Sequence, residues 1–259
     1  MKDTHIALAN NLMNNSTIFP PSRPGKPLAI RAVLFDLDDT LWPIVPVIAR
    51  AEQLLFDWMR EHAPAVTRQF TIESLRQQRL DLAATNPVFK FDLWKLRHAA
   101  LTASFNSVGE DARKVDAAMA VFSEARHAVT LFDDVEPVLA RLQQRHRLLL
   151  GTVSNGFADL DKIGLARHFQ TSIAAHSFGC AKPDPSIFHA ACAALNVTPE
   201  ETVYAGDDPL LDVVGAQQAG LRAVWINRFD RVLPAGVSAQ ASCTSLHELE
   251  AWLEQTAVG

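Results

Sequence analysis

Ala29-Ile-Arg-Ala-Val-Leu-Phe-Asp-Leu-Asp-Asp-Thr-Leu41 begins as a short, β-branched and almost continuous apolar run and stops being one abruptly at Asp36. That is the pattern of a strand buried on both faces. Its carboxylates then stand at the strand's C-terminal end. Asp36 and Asp38 are two residues apart, so on an extended chain both side chains face one way and Leu37 faces the other.

Similar runs recur at 147–153, 202–205 and 221–226, with a weaker one at 172–175, and helical patterns at 135–144, 185–195 and 211–219 separate them. Such alternation predicts βαβ units and an α/β core with a parallel sheet wrapped by helices on both faces. Residues 43–130 read differently. Val47, Ile48, Ala51, Leu54, Leu55, Trp58 and Met59 follow helical spacing, and Pro46 suits a helix start. Weaker stripes follow over 72–83, in Leu93, Leu96, Ala100 and Ala103, and in Val115, Ala118, Met119 and Phe122. Pro64, Asn86-Pro87 and Val108-Gly109 supply breaks. The expectation is an all-helical insertion of four helices over 43–130, between the first and second strands of a core formed by 29–42 and 131–259. A terminal helix is expected where Leu246, Leu249 and Leu253 share a face behind a capping Ser245. Residues 1–28, polar and ending among Pro20, Pro21, Pro24, Gly25 and Pro27, read as an N-terminal arm.

Lys and Arg number 24 against 29 Asp and Glu, for a formal charge of -5, and the cations are scattered. No footprint for nucleic acid results. Cys180, Cys192 and Cys243 show no CxxC spacing, so neither a disulfide framework nor a zinc site is indicated; they read as buried residues in a reducing cytosol. No signal-peptide core and no membrane-spanning apolar run is present, and a cytoplasmic location without membrane contact is expected.

Ligands of open parallel sheets bind beyond the carboxyl ends of the strands. A second acidic group, Asp207, Asp208 and Asp212, follows the run 202–205 and Gly206. Each of these alone is most simply a cap or turn former. Two acidic strand ends together make an oxygen-only set that suits magnesium.

The string Phe35-Asp36-Leu37-Asp38-Asp39-Thr40-Leu41 resembles the DxDxT motif of the haloacid dehalogenase superfamily. Three further matches follow in that family's order. Thr152-Val-Ser154-Asn155-Gly156 resembles its Ser/Thr motif, Lys182-Pro-Asp-Pro-Ser-Ile-Phe188 its lysine motif, and Gly206-Asp207-Asp208-Pro-Leu-Leu-Asp212 its GDxxxxD motif. The helical insertion stands where a C1-type cap would, and the correspondence spans about residues 31 to 228. Four ordered motifs are far more specific than any one of them. The resemblance implies a Rossmann-like core with an inserted helical cap, and a Mg2+-dependent phosphatase acting on a small-molecule phosphate ester. Asp36 would be the nucleophile. Asp38 would protonate the leaving group and later deprotonate water. Ser154 and Asn155 would bind the phosphoryl group, and Lys182 would offset its charge. Asp36, Asp207 and the Asp38 carbonyl would hold the metal, with Thr40, Asp208 and Asp212 in support.

The core and first cap helix further resemble bacterial phosphatases of this superfamily acting on flavin mononucleotide and on the phosphoribityl-aminouracil intermediate of riboflavin synthesis. Trp42, Trp94, Phe89 and Phe91 could stack on a ring system, though packing is the plainer reading. Arg50, Arg79, Arg97 and Lys90 could contact substrate, though solvated helix faces are plainer. Within the superfamily the alternatives are a dehalogenase, which needs no Asp38, a phosphonatase using Lys90, Lys95 or Lys114, and a phosphomutase. Outside enzymology, the alternative is a non-catalytic binding or regulatory module.

Overall fold

The computed structural model describes residues 29–257; the arm expected over 1–28 lies outside them. Six parallel strands form one sheet in the order β3-β2-β1-β4-β5-β6. They are β1 (Ala32–Phe35), β2 (Leu149–Ser154), β3 (Thr171–Ala174), β4 (Thr202–Gly206), β5 (Arg222–Ile226) and β6 (Ala241–Cys243). Phe35 lies opposite Thr152 of β2 and Ala205 of β4. Asp36, Ser154 and Gly206 therefore emerge side by side on one edge of the sheet.

Alternation along the strands sorts the two faces. Val33, Phe35 and Leu37 pack with α6 (Val135–Gln144) and α11 (Leu246–Ala257), while Ala32, Leu34 and Tyr204 pack with α9 (Pro185–Ala194). Each fully buried Leu, Ile or Phe in these layers contributes roughly 1.5–3 kcal/mol. Two short helices, α7 (Leu160–Ile163) and α8 (Ala175–Phe178), follow β2 and β3.

Between β1 and β2 the chain is helical: α1 (Ile44–His62), α2 (Pro64–Gln69), α3 (Ile72–Thr85), α4 (Leu93–Ser107) and α5 (Val115–His127). Ala51, Leu55 and Met59 of α1 close a separate core with Leu101 and Phe105 of α4 and with Ala118, Met119 and Phe122 of α5. Five helices are found where four are expected, because Pro64 opens a helix of its own after the break at Ala63. Helix α1 starts at Ile44 rather than Pro46. Pro46 still sits in the first turn, where a missing N–H costs no intrahelical bond.

Two further departures have local causes. Strand β6 is three residues long, too short for a periodic signal, and is held by pairing with β5 and by Asn227 N–H on the Cys243 carbonyl at 2.7 Å. The helix expected over 211–219 is instead a π-helical turn, Pro209–Val214, running into α10 (Gly215–Gln218). Asp208 caps this turn through Leu210 N–H and Leu211 N–H. No helix among the described residues is long and apolar enough to cross a membrane.

Candidate active site

Strand pairing continues one residue past β1, since Asp36 N–H donates to the Ala205 carbonyl at 2.9 Å. The Asp36 carboxylate is thereby fixed at the sheet edge and is 7% exposed. Lys182, brought in by the loop before α9, donates from Nζ to Asp36 Oδ1 at 2.5 Å, to Asp212 Oδ1 at 2.7 Å and to Tyr204 Oη at 2.9 Å. Tyr204 in turn donates to the Val153 carbonyl at 2.8 Å. Burial alone would depress the Lys182 ammonium, but Asp212 and Asp36 more than reverse this and keep it charged. Burial pushes the Asp36 carboxyl well above its usual range; Lys182 opposes the rise, and Asp212 and Asp207 add to it.

Gly206 is required where β4 meets this cluster, because an added Cβ would come within 2.4 Å of Asp212 Oδ2. Asp212 Oδ2 itself accepts from Asp208 N–H at 2.9 Å. The π-helical turn returns the Asp212 carboxylate towards Lys182.

Beyond Asp36 the chain turns sharply through Asp39, whose φ is 59°. Asp is among the few non-glycine residues at home in this left-handed region. Asp38 then lies beneath the helical insertion. Its Oδ1 accepts from Trp42 Nε1 at 2.9 Å and from Arg126 Nη2 at 2.7 Å, and its Oδ2 accepts from the same Nη2 at 2.9 Å. Burial raises the Asp38 pKa, against the pull of Arg126 and the Trp42 hydrogen bond.

Ser154 is 4% exposed, and its hydroxyl oxygen accepts Gly156 N–H at 2.9 Å, so its hydrogen remains to be donated elsewhere. Asn155 has another occupation than the phosphoryl contact expected for it: its amide donates to the Lys182 carbonyl at 3.0 Å and accepts Lys182 N–H at 2.8 Å. It ties the lysine loop to the end of β2.

Asp207 Oδ2 is paired with Arg231 Nη1 at 2.8 Å, and the same guanidinium reaches Asp39 at 3.2 Å. Burial and repulsion from Asp212 nevertheless lift the Asp207 pKa to about 7. Asp208 serves as the cap of the π-helical turn. The Thr40 carbonyl accepts from Arg228 Nε at 3.3 Å and Nη2 at 3.2 Å, while its buried hydroxyl has no partner among the described residues.

Asp36, Asp207 and Asp212 each offer an oxygen within 4.8 Å of the others. Three carboxylates meet one lysine and one arginine here. The excess negative charge and the all-oxygen donors fit a hard divalent cation such as magnesium.

Arg126, Trp42, Tyr204, Gly156 and Arg231 complete this site and were not anticipated in these roles. Arg126 did leave a signal: it lies in register with the apolar stripe Val115, Met119 and Phe122, where a solvated arginine does not belong. Trp42 is fully buried, which removes it from stacking on a ligand and leaves its indole N–H to orient Asp38. Trp94 packs on Phe157, with ring centroids 5.1 Å apart. Phe89 and Phe91 are partly buried, and Lys90 is exposed beside the Phe91 ring.

The solvated reading of Arg79 and Arg97 gives way, because both converge with Arg76 on the buried Glu52. Arg97 also lies 3.7 Å from the Phe122 ring centroid. Arg50 donates to the Ala125 and Ala128 carbonyls at the end of α5. Lys95 pairs with Asp92, and Lys114 with Glu110.

Known proteins resemble this chain in sequence and in fold. The chain is 30% identical over 231 residues to 5-amino-6-(5-phospho-D-ribitylamino)uracil phosphatase YigB of Escherichia coli (strain K12), covering 84% of this chain and 96% of that protein. It is 30% identical over 205 residues to the glyceraldehyde 3-phosphate phosphatase of Methanopyrus kandleri, covering 77% and 84%. Among solved structures, a 2-haloacid dehalogenase from Pseudomonas syringae pv. Tomato DC3000 superposes with a TM-score of 0.81 at 36% identity, over 87% of this chain and 99% of that one. The family model of the haloacid dehalogenase-like hydrolases matches residues 30–220. With its four motifs gathered at one edge of a parallel sheet beneath a helical cap, the chain belongs to the haloacid dehalogenase-like hydrolases.

Proposed function

We propose that this hydrolase is a magnesium-dependent phosphatase that cleaves a small phosphorylated metabolite by way of a phosphorylated Asp36. The observation that carries the reading is the pair of carboxylates at the end of β1. Asp36 lies against Lys182, and Asp38 is held separately by Trp42 and Arg126. Two acids in different surroundings can divide the tasks of nucleophile and proton carrier.

Asp36 attacks phosphorus; the phosphorus–oxygen bond to the alcohol breaks as Asp38 transfers its proton to the departing oxygen. Asp38, now ionised, takes a proton from the water that attacks the acyl phosphate, which releases inorganic phosphate and restores Asp36. The Ser154 hydroxyl donates to a phosphoryl oxygen, and Lys182 balances the charge assembled around Asp36. Asp36, Asp207 and the Asp38 carbonyl would hold magnesium, which when bound would supply positive charge to the transferring group. Asp212 orients Lys182, Asp208 shapes the loop that carries Asp207, and Thr40 supports the turn after Asp38.

For substrate, the similarity to YigB supports a phosphoribityl-aminouracil of the riboflavin pathway, and the resemblance of the core and first cap helix adds flavin mononucleotide as a candidate. A screen of phosphorylated metabolites containing flavin mononucleotide, sugar phosphates and nucleoside monophosphates tests it, and flavin mononucleotide turning over no faster than p-nitrophenyl phosphate would remove the support. The similarity to a 2-haloacid dehalogenase favours a second reading. Halide departs without a proton, which leaves Asp38 without a task in such a reaction. No halide release from 2-chloropropionate is expected, and release faster than ester hydrolysis would reverse the assignment.

Metal binding should depend on pH in a definite sense. The Asp207 pKa of about 7 lies above its ordinary value of 3.8. Between these values the folded chain holds a proton that the unfolded chain has lost, so metal-free stability falls as pH rises through that window. Magnesium competes with this proton and binds better above pH 7. Its increment to the melting temperature is therefore expected to be larger at pH 8 than at pH 6, as thermal melts against an EDTA control would read; equal increments would speak against these ligands.

Gly156 offers a steric test. A Cβ added there would meet Asp38 Oδ2 at 2.7 Å and Ser154 Oγ at 3.2 Å. Gly156→Ala is expected to lower kcat by about 100-fold through displacement of these groups. Its circular dichroism should match the wild type, and an unchanged kcat would show that Asp38 does not work from this position.

A further inference from the structure

Resting on the phosphatase reading, Asp38 must present one oxygen to the leaving group, and its two oxygens have unequal surroundings. Oδ1 accepts from both Trp42 Nε1 and Arg126 Nη2, whereas Oδ2 accepts from Arg126 Nη2 alone. Oδ2 and Ser154 Oγ, the group assigned to the phosphoryl oxygens, both border the space over Gly156, so on the phosphatase reading Oδ2 is the oxygen that faces the substrate. One oxygen is anchored and the other is presented.

Arg126 belongs to the last turn of α5, and its side chain is 5% exposed. Its Nη1 is buried without a partner, and Asp38 is the one hydrogen-bond acceptor found for the guanidinium among the described residues. A guanidinium so placed is costly, and an apolar residue in this stripe would serve packing as well or better. The contact with Asp38 is what the position obtains in return. The end of α5 is itself secured from α1 by Arg50, through the Ala125 and Ala128 carbonyls.

We propose that Arg126 is the positioning residue of the proton carrier: with the cap seated, it fixes Asp38 through Oδ1, together with Trp42, and turns Oδ2 to the leaving oxygen. Cap and chemistry are thereby coupled, since the cap supplies the guanidinium and the sheet edge supplies the carboxylate. When the ester bond breaks, the electron pair leaves with the alcohol oxygen and the proton passes to it from Oδ2.

The test compares two esters. A p-nitrophenolate leaves readily without a proton, while an alkoxide does not. For the fastest alkyl phosphate of the metabolite screen, Arg126→Met is expected to lower kcat/KM by about 100-fold, the lower range of a general acid's contribution. For p-nitrophenyl phosphate the loss should be no more than a few fold, and KM should change little on either. Arg126→Lys keeps the charge and one donor, and should restore part of the alkyl-ester rate. Should Arg126→Met fail to fold, by its melting curve, the ratio between the two esters in Arg126→Lys decides, with a greater loss on the alkyl ester expected. Equal losses on both esters overturn the proposal. Asp38→Asn serves as reference: if it shows leaving-group selectivity and the Arg126 variants do not, the proposal alone fails. If Asp38→Asn itself is unselective, the assignment of the proton to Asp38 fails as well.

Discussion

Asp36→Asn is expected to reduce phosphate release by about 10,000-fold or more, the scale on which removal of a nucleophile acts, while leaving the protein at least as stable as before. The amide keeps the shape of the carboxylate and an oxygen for Lys182, but it lacks the charge needed to attack phosphorus. The stability half follows from linkage. Burial, with Asp212 and Asp207 nearby, raises the Asp36 pKa well above 3.8 despite Lys182. The folded state therefore holds the proton more tightly than the unfolded state, and the ionised carboxylate costs stability that grows as pH rises above the ordinary value. A neutral amide removes that cost. Phosphate release from p-nitrophenyl phosphate, together with melting curves in EDTA at neutral pH, reads both halves. Retention of full activity would rule out Asp36 as nucleophile, and a large fall in melting temperature would show that Lys182 depends on the charge more than burial opposes it.

Lys182→Met should have the opposite balance. Methionine fills much of the apolar volume of the lysine stem but leaves Asp36 and Asp212, 7% and 1% exposed, facing each other without their shared cation. Removing one partner of a buried ion pair costs about 3–5 kcal/mol, or roughly 10 °C of melting temperature in a chain of this size. Turnover should fall by about 1,000-fold, since the charge opposite the transferring phosphoryl group is gone. Magnesium should recover part of the lost stability, because a second cation can stand among the same carboxylates. Melting temperatures in EDTA and in magnesium would show it; equal stability of variant and wild type in EDTA would mean that Lys182 does not stabilise the folded chain through these carboxylates.

The two substitutions separate what was legible along the chain from what was not. Asp36 could be placed because a buried strand ending in an acidic residue is a local pattern, and its spacing to Asp38 rests on the two-residue repeat of extended backbone. The first five strands and the helices 135–144 and 185–195 follow from periodicity alone, and their observed ends move by only a few residues. The insertion was legible as helical, with its break at Pro64, but not the short helix that Pro64 opens. Arg79 and Arg97 were misjudged because a surface stripe and a buried ion cluster have the same composition, and only the packing of α1, α3 and α4 around Glu52 shows which is present. The π-helical turn was missed because the apolar pattern over 211–219 reads as an ordinary helix.

At the carboxyl edge of the sheet the division is sharpest. By itself the sequence determined the parallel α/β core, the helical insertion, and the position of Asp36 and Asp38 at the end of the first strand, because each depends on residues a few positions apart. Only the tertiary structure decided which groups hold them. Lys182 reaches Asp36 across 146 positions, and Arg126 reaches Asp38 across 88. Periodicity carries no information over such distances. Strand order and the seating of the cap on the sheet bring these charges together, and burial then sets how strongly they act on one another.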